Sequence, residues 1–203
     1  MSDSLDTIGQ RHQTDKASVF TRTYAKPHDY LRHMEKFFSP MRLEPIRFLE
    51  IGVGGGESIR TWLEYFLNAT IYGIDIVHST NSWNTPGLLT DERYFFTAGD
   101  QSDSHFWDAF IGETGCEWDI VVEDGGHHAN QVITTINAMW PHVKSGGLFI
   151  CEDLACSYSS IFQTPGWPTP IERLRGLIDA MNQGQGDVDS ITFSRELAII
   201  RKR

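Results

Sequence analysis

Apolar residues along this chain fall into short runs separated by glycine, proline and acidic residues, and two spacings alternate. Ile46 to Ile51, Thr70 to Ile76, Arg93 to Ala98, Trp118 to Asp124 and Leu148 to Cys151 are compact, rich in β-branched and aromatic residues, and read as strands. Between them, Ser58 to Phe66 sets Ile59, Trp62, Leu63 and Phe66 on one helical face, and Asn130 to Trp140 does the same with Val132, Ile133, Ile136 and Met139. Further helices are expected at about Ser104 to Ile111 and Ile171 to Met181. Upstream, Leu31, Met34, Phe37 and Phe38 share helical spacing in a segment from about Ala17 to Phe38, which ends at Ser39-Pro40 because proline cannot continue a helix. Ser190 to Arg201 reads as two strands joined near Arg195-Glu196. Gly146-Gly147 reads as a turn into the fifth strand, and His78 to Asp91 and Ser157 to Pro170 as loops.

Continuously apolar strands that alternate with helices predict an α/β fold built on a mostly parallel sheet with both faces covered. The closing hairpin adds an antiparallel edge. With 203 residues, 40% of them hydrophobic and 22% charged, a single domain spanning 1–203 is expected, with 1–44 as an N-terminal helical cap and 45–203 as the catalytic core.

The net charge of -10 argues against nucleic acid as a partner, since phosphate binding needs a basic face, and apart from Arg201-Lys202-Arg203 there is none. No apolar run approaches the roughly 18 residues that span a bilayer. Cys116, Cys151 and Cys156 show no CxxC spacing, and their odd number suits a reducing compartment, so a cytoplasmic location is expected. The oligomeric state stays open, a homo-oligomer included.

The first candidate chemistry lies where the first strand turns into a helix, at Glu50-Ile51-Gly52-Val53-Gly54-Gly55-Gly56-Glu57-Ser58. Glycines there permit a sharp turn and a close ligand approach. They alternate as G-x-G-x-G, unlike the G-x-G-x-x-G of dinucleotide loops, and Glu50 at the strand end suits a cationic amino-acid ligand better than a pyrophosphate. Asp75 after the second strand is placed for a ribose diol, and Asp100 in Gly99-Asp100-Gln101-Ser102 for an adenine amine. Gly52, Gly54, Gly56, Ser58 and Gln101 complete a candidate S-adenosylmethionine site. The plainer alternative is a tight glycine turn without a ligand.

The fourth and fifth strands end in Glu123-Asp124-Gly125-Gly126-His127-His128 and Glu152-Asp153. Crowded carboxylates repel unless a cation neutralises them, and an oxygen-rich set free of thiolate points to Mg²⁺, Mn²⁺ or Ca²⁺. Asp124, Glu152 and Asp153 are the candidate ligands, against the alternative of solvated strand-end acids. Strand alternation turns Glu123 away from Asp124. His127, beside that centre, is the candidate general base for a metal-bound hydroxyl.

These motifs resemble the metal-dependent sugar O-methyltransferases of macrolide biosynthesis, the macrocin and mycinamicin type. The resemblance runs through Leu49-Glu50-Ile51-Gly52, Ser58, Trp62, Gly73-Ile74-Asp75-Ile76, Gly99 to Asp103, Glu123 to His127, and Gly146-Gly147-Leu148 through Glu152-Asp153-Leu154. It implies a Rossmann-like class I methyltransferase fold with a seven-stranded sheet, S-adenosylmethionine and Mg²⁺ (or Mn²⁺) as cofactors, and methyl transfer to a small hydroxylated acceptor. By the same resemblance Asp124, Glu152 and Asp153 are metal ligands and His127 the base, and Thr14-Asp15-Lys16 matches a T-D-K segment that lies near the active site. The chain departs from the family at Gly126, where a serine is usual, and at Ala155-Cys156-Ser157-Tyr158, which replaces H-T-S-Y. A large N-terminal domain carried by some members is not among these 203 residues. A catechol or phenol acceptor, a hydrolytic metalloenzyme and a non-catalytic S-adenosylmethionine-binding module are the competing readings.

Overall fold

In a computed structural model, residues 3–19, 21, 26–76, 90–115 and 117–203 are described. The order is α1 (Leu5–His12), α2 (Leu31–Phe38), β1 (Arg47–Ile51), α3 (Glu57–Tyr65), β2 (Thr70–Asp75), β3 (Tyr94–Ala98), α4 (Ser104–Thr114), β4 (Trp118–Glu123), α5 (Ala129–Met139), β5 (Val143–Cys151), α6 (Pro170–Asn182), β6 (Val188–Ser194) and β7 (Leu197–Lys202). The seven strands form one sheet in the order β3-β2-β1-β4-β5-β7-β6. The first five are mutually parallel, and β7 enters between β5 and β6 antiparallel to both. This is the expected class I methyltransferase sheet with its antiparallel hairpin.

Alternation along each strand divides the core into two layers. Phe48, Ile71, Ile120, Val122, Ile150 and Ile199 face α1, α2 and α3. Leu49, Ile74, Val121, Phe149 and Ile200 face α4, α5 and α6. In the first layer Phe38 of α2 packs edge-on against Phe48 and Trp62, with ring centroids 6.1 and 5.8 Å apart, and lies 5.3 Å from Phe66. Residues of the segment 1–44 therefore help to build the core, with Leu5, Leu31, Met34 and Phe38 fully buried.

The N-terminal segment differs most from the expectation. Helix α1 was not anticipated, and α2 begins only at Leu31, so of the helix expected from about Ala17 the described residues 17–19, 21 and 26–30 are not helical. Asp29 has a left-handed backbone (φ 64°), and main-chain bonds from His28, Asp29 and Leu31 to Asp15, Ala17 and Lys16 fold this stretch onto the residues after α1. Those long-range bonds have no periodic signature. Gly146-Gly147 also lies inside β5, which begins at Val143 with a register shift against β4, instead of forming a turn before the strand. Most of the polar loop from His78 to Asp91 lies outside the described residues. No described helix is long and apolar enough to cross a membrane.

If Phe38 carries the docking of α2 on the sheet, Phe38→Ala should cost about 3–5 kcal/mol in urea unfolding, the range for truncating a fully buried aromatic side chain. A loss under about 1 kcal/mol would show that α2 is peripheral.

Candidate active site

Parallel strands open their C-terminal ends on a shared crevice where the strand order reverses, here between β1 and β4. A cavity of about 410 Å³ occupies that place. Gly52, Gly54, Ser58, Asp75, Asp100 and Gln101 line it on one side, and Asp124, His127 and Asp153 on the other.

The glycine loop has one strict requirement. Gly52 sits at φ 87°, and a Cβ there would lie 1.8 Å from the carbonyl oxygen of Asp124, so the β1 loop and the end of β4 approach at backbone distance. Asp75 braces the loop, its Oδ2 accepting the N–H groups of Val53 and Gly54 at 3.0 and 2.9 Å. Asp100 accepts from the amide and hydroxyl of Ser102. Gln101 donates to Glu123 and Thr135 and accepts the amide of Gly126 at 2.8 Å, which ties the third strand's loop to the fourth's.

Three sequence-selected residues stand behind the cavity wall: Glu50, Gly56 and Glu152 are not among its lining residues. Glu50 is fully buried and accepts from the Ser58 hydroxyl and the Trp62 indole N–H. In this fold Glu50 therefore stands behind Ser58 and does not line the cavity where a cationic ligand was expected to meet it. Gly56 caps α3 in a left-handed conformation.

The acids divide by strand face as alternation requires. Glu50, Asp124 and Glu152 point to the α1–α3 side, where the ammonium of Lys16 meets all three. It is hydrogen-bonded to Asp124, lies 2.7 Å from Glu152 and 3.6 Å from Glu50. Burial alone would lower the lysine's pKa, but Asp124, Glu152 and Glu50 more than offset this and hold it well above the ordinary lysine range. Glu123 points to the other side, towards Gln101. Burial pushes Glu50 and Glu123 each up to about 7, and raises Asp124 and Glu152 as well against the pull of Lys16.

On the cavity side Asp124, His127 and Asp153 bring a ligand atom each to within 4.8 Å of one another. Nε2 of His127 lies 3.3 Å from Asp153 Oδ2. Tyr30 donates its hydroxyl to Asp153 at 2.8 Å. Burial, then the charge of Asp153, raises the Tyr30 phenol so that it remains a donor. His127 (φ 60°) and Asp153 (φ 53°) are both left-handed, a conformation that non-glycine residues adopt rarely and mainly where surroundings enforce it. Buried Nδ1 of His127 and Oε1 of Glu152 have no hydrogen-bond partner among the described residues. Unmet donor atoms beside two carboxylates fit a divalent cation. Of the three expected ligands, the folded chain gathers Asp124 and Asp153 with His127, while Glu152 is held by Lys16. The sequence placed Lys16 only near the active site, by resemblance, and gave no signal for Tyr30, whose contact with Asp153 spans 123 residues.

A family model described as a methyltransferase domain matches residues 49–154, more than half of the chain. The chain belongs to this methyltransferase-domain family. It is 33% identical over 174 residues to mycinamicin VI 2''-O-methyltransferase from Micromonospora griseorubida, covering 80% of this chain and 42% of that protein. Demethylmacrocin O-methyltransferase from Streptomyces fradiae is 30% identical over 198 residues, 92% of this chain and 46% of that one. The MycE methyltransferase of the mycinamycin biosynthetic pathway, solved in complex with Mg and SAH, superposes with a TM-score of 0.82 at 29% identity, over 100% of this chain and 55% of that one. This methyltransferase domain thus spans about half the length of the curated relatives it matches.

The buried acids make the metal-free domain pH-sensitive. Glu50 and Glu123 are raised in the folded state, so their favourable contribution is complete below their unfolded value and is lost as pH rises through about 7. Asp29, Asp91 and Glu172 are held below their ordinary range and stay ionised across this window. Urea unfolding with chelator present should therefore show stability falling by on the order of 1–3 kcal/mol between about pH 5 and about pH 8, and Glu123→Gln should make the fall shallower. A flat or rising profile would contradict the burial of these groups as acids.

Proposed function

We propose that this chain is the catalytic domain of an S-adenosylmethionine-dependent, divalent-metal-dependent O-methyltransferase that acts on a diol-like hydroxyl of a small natural-product acceptor, a sugar carried by a polyketide. The observation that carries this reading is a single cavity with two chemically distinct walls. One wall is the braced glycine loop with Asp75, Asp100 and Gln101, and the other is Asp124, His127 and Asp153. The sequence similarity to O-methyltransferases of macrolide sugars and the structural likeness to a methyltransferase bound to Mg and SAH support it.

In this reading Gly52 and Gly54 let the donor lie against the backbone, with Asp75 and Asp100 at its ribose and adenine. Asp124, Glu152 and Asp153 would hold the divalent cation, and one oxygen of Glu152 has no hydrogen-bond partner among the described residues. A divalent cation there would supply positive charge that eases loss of a proton from a nearby hydroxyl. His127 takes the hydroxyl proton at Nε2, where the Asp153 carboxylate stabilises the imidazolium that forms. Tyr30 orients Asp153. Most of the rate gain comes from holding acceptor oxygen and methyl group in line. Phe162 lies edge-on to His127, with centroids 6.1 Å apart, and Tyr158, Ile161 and Trp167 of the same chain segment are exposed. Exposed apolar side chains on the segment that touches His127 suit an acceptor whose hydroxylated ring is attached to an apolar body. Residues 1–44 and 45–203 act as one domain, and the reaction needs neither nucleic acid nor a membrane.

Mass spectrometry of a panel of glycosylated macrolides and catechols, incubated with S-adenosylmethionine and Mg²⁺, should find one methyl increment on a sugar-bearing acceptor, abolished by chelator. Methylation of catechols alone would replace the acceptor, and metal-independent transfer would remove the mechanism. His127→Ala should leave S-adenosylmethionine affinity unchanged while lowering kcat by about 100-fold or more. A fully active variant would exclude His127 as base.

A further inference from the structure

The lining of the active cavity is strongly one-sided in charge. Asp15, Glu57, Asp75, Asp100, Asp124 and Asp153 contribute carboxylates to it, and among its described lining residues Lys16 is the sole lysine or arginine. The methyl donor nevertheless carries a carboxylate of its own, on its amino-acid end. The glycine loop, the usual anion cradle in such folds, has most of its donors committed. Gly52 N–H bonds the Ile74 carbonyl, those of Val53 and Gly54 bond Asp75, and that of Gly56 bonds the Val53 carbonyl. That leaves Lys16 as the strongest anion-pairing group on the wall.

Lys16 is at the same time bonded to two of the carboxylates that sequence reasoning assigned to the metal, Asp124 and Glu152. Asp124 also belongs to the set with His127 and Asp153. An ammonium and a divalent cation cannot share these carboxylates at contact distance without direct repulsion, and the more highly charged ion competes better for them. The Lys16 side chain has four rotatable methylenes and can swing, whereas its backbone is fixed by Leu31 N–H bonding its carbonyl and by the neighbouring bonds to Asp15 and Ala17.

We propose that Lys16 is an exchangeable internal cation: its ammonium holds Asp124 and Glu152 in the ligand-free domain, yields them to a divalent cation, and is thereby released to pair with the carboxylate of the methyl donor. This rests on the function proposed above and adds a coupling between the two ligands. Metal binding prepares the anion site, and by linkage the nucleoside ligand raises metal affinity by the same factor. Until the metal arrives, the mutual repulsion of the three acids that meet at Lys16 is offset by a charge the chain itself supplies.

The test is calorimetry of S-adenosylhomocysteine binding to the full chain, with and without Mg²⁺, together with Mn²⁺ binding alone; no turnover is involved. In the wild type Mg²⁺ should tighten S-adenosylhomocysteine binding by about tenfold, within the usual range for coupled sites. Lys16→Met, whose folding is checked by its thermal melt, should bind S-adenosylhomocysteine equally with and without Mg²⁺ to within about twofold, and should bind Mn²⁺ alone more tightly because its competitor is gone. Lys16→Arg keeps the charge and should retain part of the coupling, which a merely structural lysine would not require. Wild type that fails to bind S-adenosylhomocysteine would sink the functional reading and this inference with it. Wild type that binds it equally with and without Mg²⁺, or Lys16→Met that keeps the full coupling, or weaker Mn²⁺ binding by Lys16→Met, would overturn the exchange while leaving the methyltransferase reading intact.

Discussion

Mutual repulsion among carboxylates at the ends of β1, β4 and β5 is the constraint on which this molecule is organised. Strand alternation delivers Glu50, Asp124 and Glu152 to one face of the sheet, close enough for one ammonium to reach them all. Two buried anions and a third half-buried one could not all stay charged without a counter-charge, since an isolated buried carboxylate becomes protonated instead. The N-terminal segment answers this. Its helices cover the sheet face with Leu5, Leu31, Met34 and Phe38, and its turns bring Lys16 to the acids and Tyr30 to Asp153. Covering the core and neutralising the site are therefore one structural event.

A second consequence is that the two walls of the cavity are mechanically joined. Gly52 lies against the Asp124 carbonyl at a distance that no side chain tolerates, and Gln101 links the loop after β3 to the amide of Gly126. A shift at the glycine loop is passed by backbone contact to the acid and histidine wall. Asp75, expected at a ribose, also serves as the brace of the glycine loop, so one side chain shapes the loop and lines the cavity. Left-handed backbone at His127 and Asp153 is tolerated because this surrounding framework is rigid.

The split of the acids shows how the chemistry can be staged. Glu123, one residue before Asp124, faces α5, where one of its oxygens accepts from Gln101, and it is not among the residues that line the cavity despite its place in the motif. Glu152 and Asp153, adjacent in sequence, serve opposite sides of the wall: one meets Lys16 and the other meets Tyr30 and His127. Neighbouring acids in the sequence are thus partners of different groups in space.

The sequence by itself determined the elements and the chemical inventory. Hydrophobic periodicity is a local property, so β1 to β7 and α3 to α6 were legible to within a few residues, except for the start of β5 across Gly146-Gly147, as were the alternating glycines, Asp75, Asp100 and the acid and histidine run. What only the tertiary structure decided are the contacts between residues far apart in the chain. Lys16 reaches Asp124 and Glu152 across 108 and 136 positions, and Tyr30 reaches Asp153 across 123. Helix α1, the turns from His28 to Leu31 and the withdrawal of Glu50 behind Ser58 follow from docking onto the sheet, which no local spacing encodes. The pattern of the chain specifies which groups are present and roughly where each strand ends, and close packing decides which of them meet.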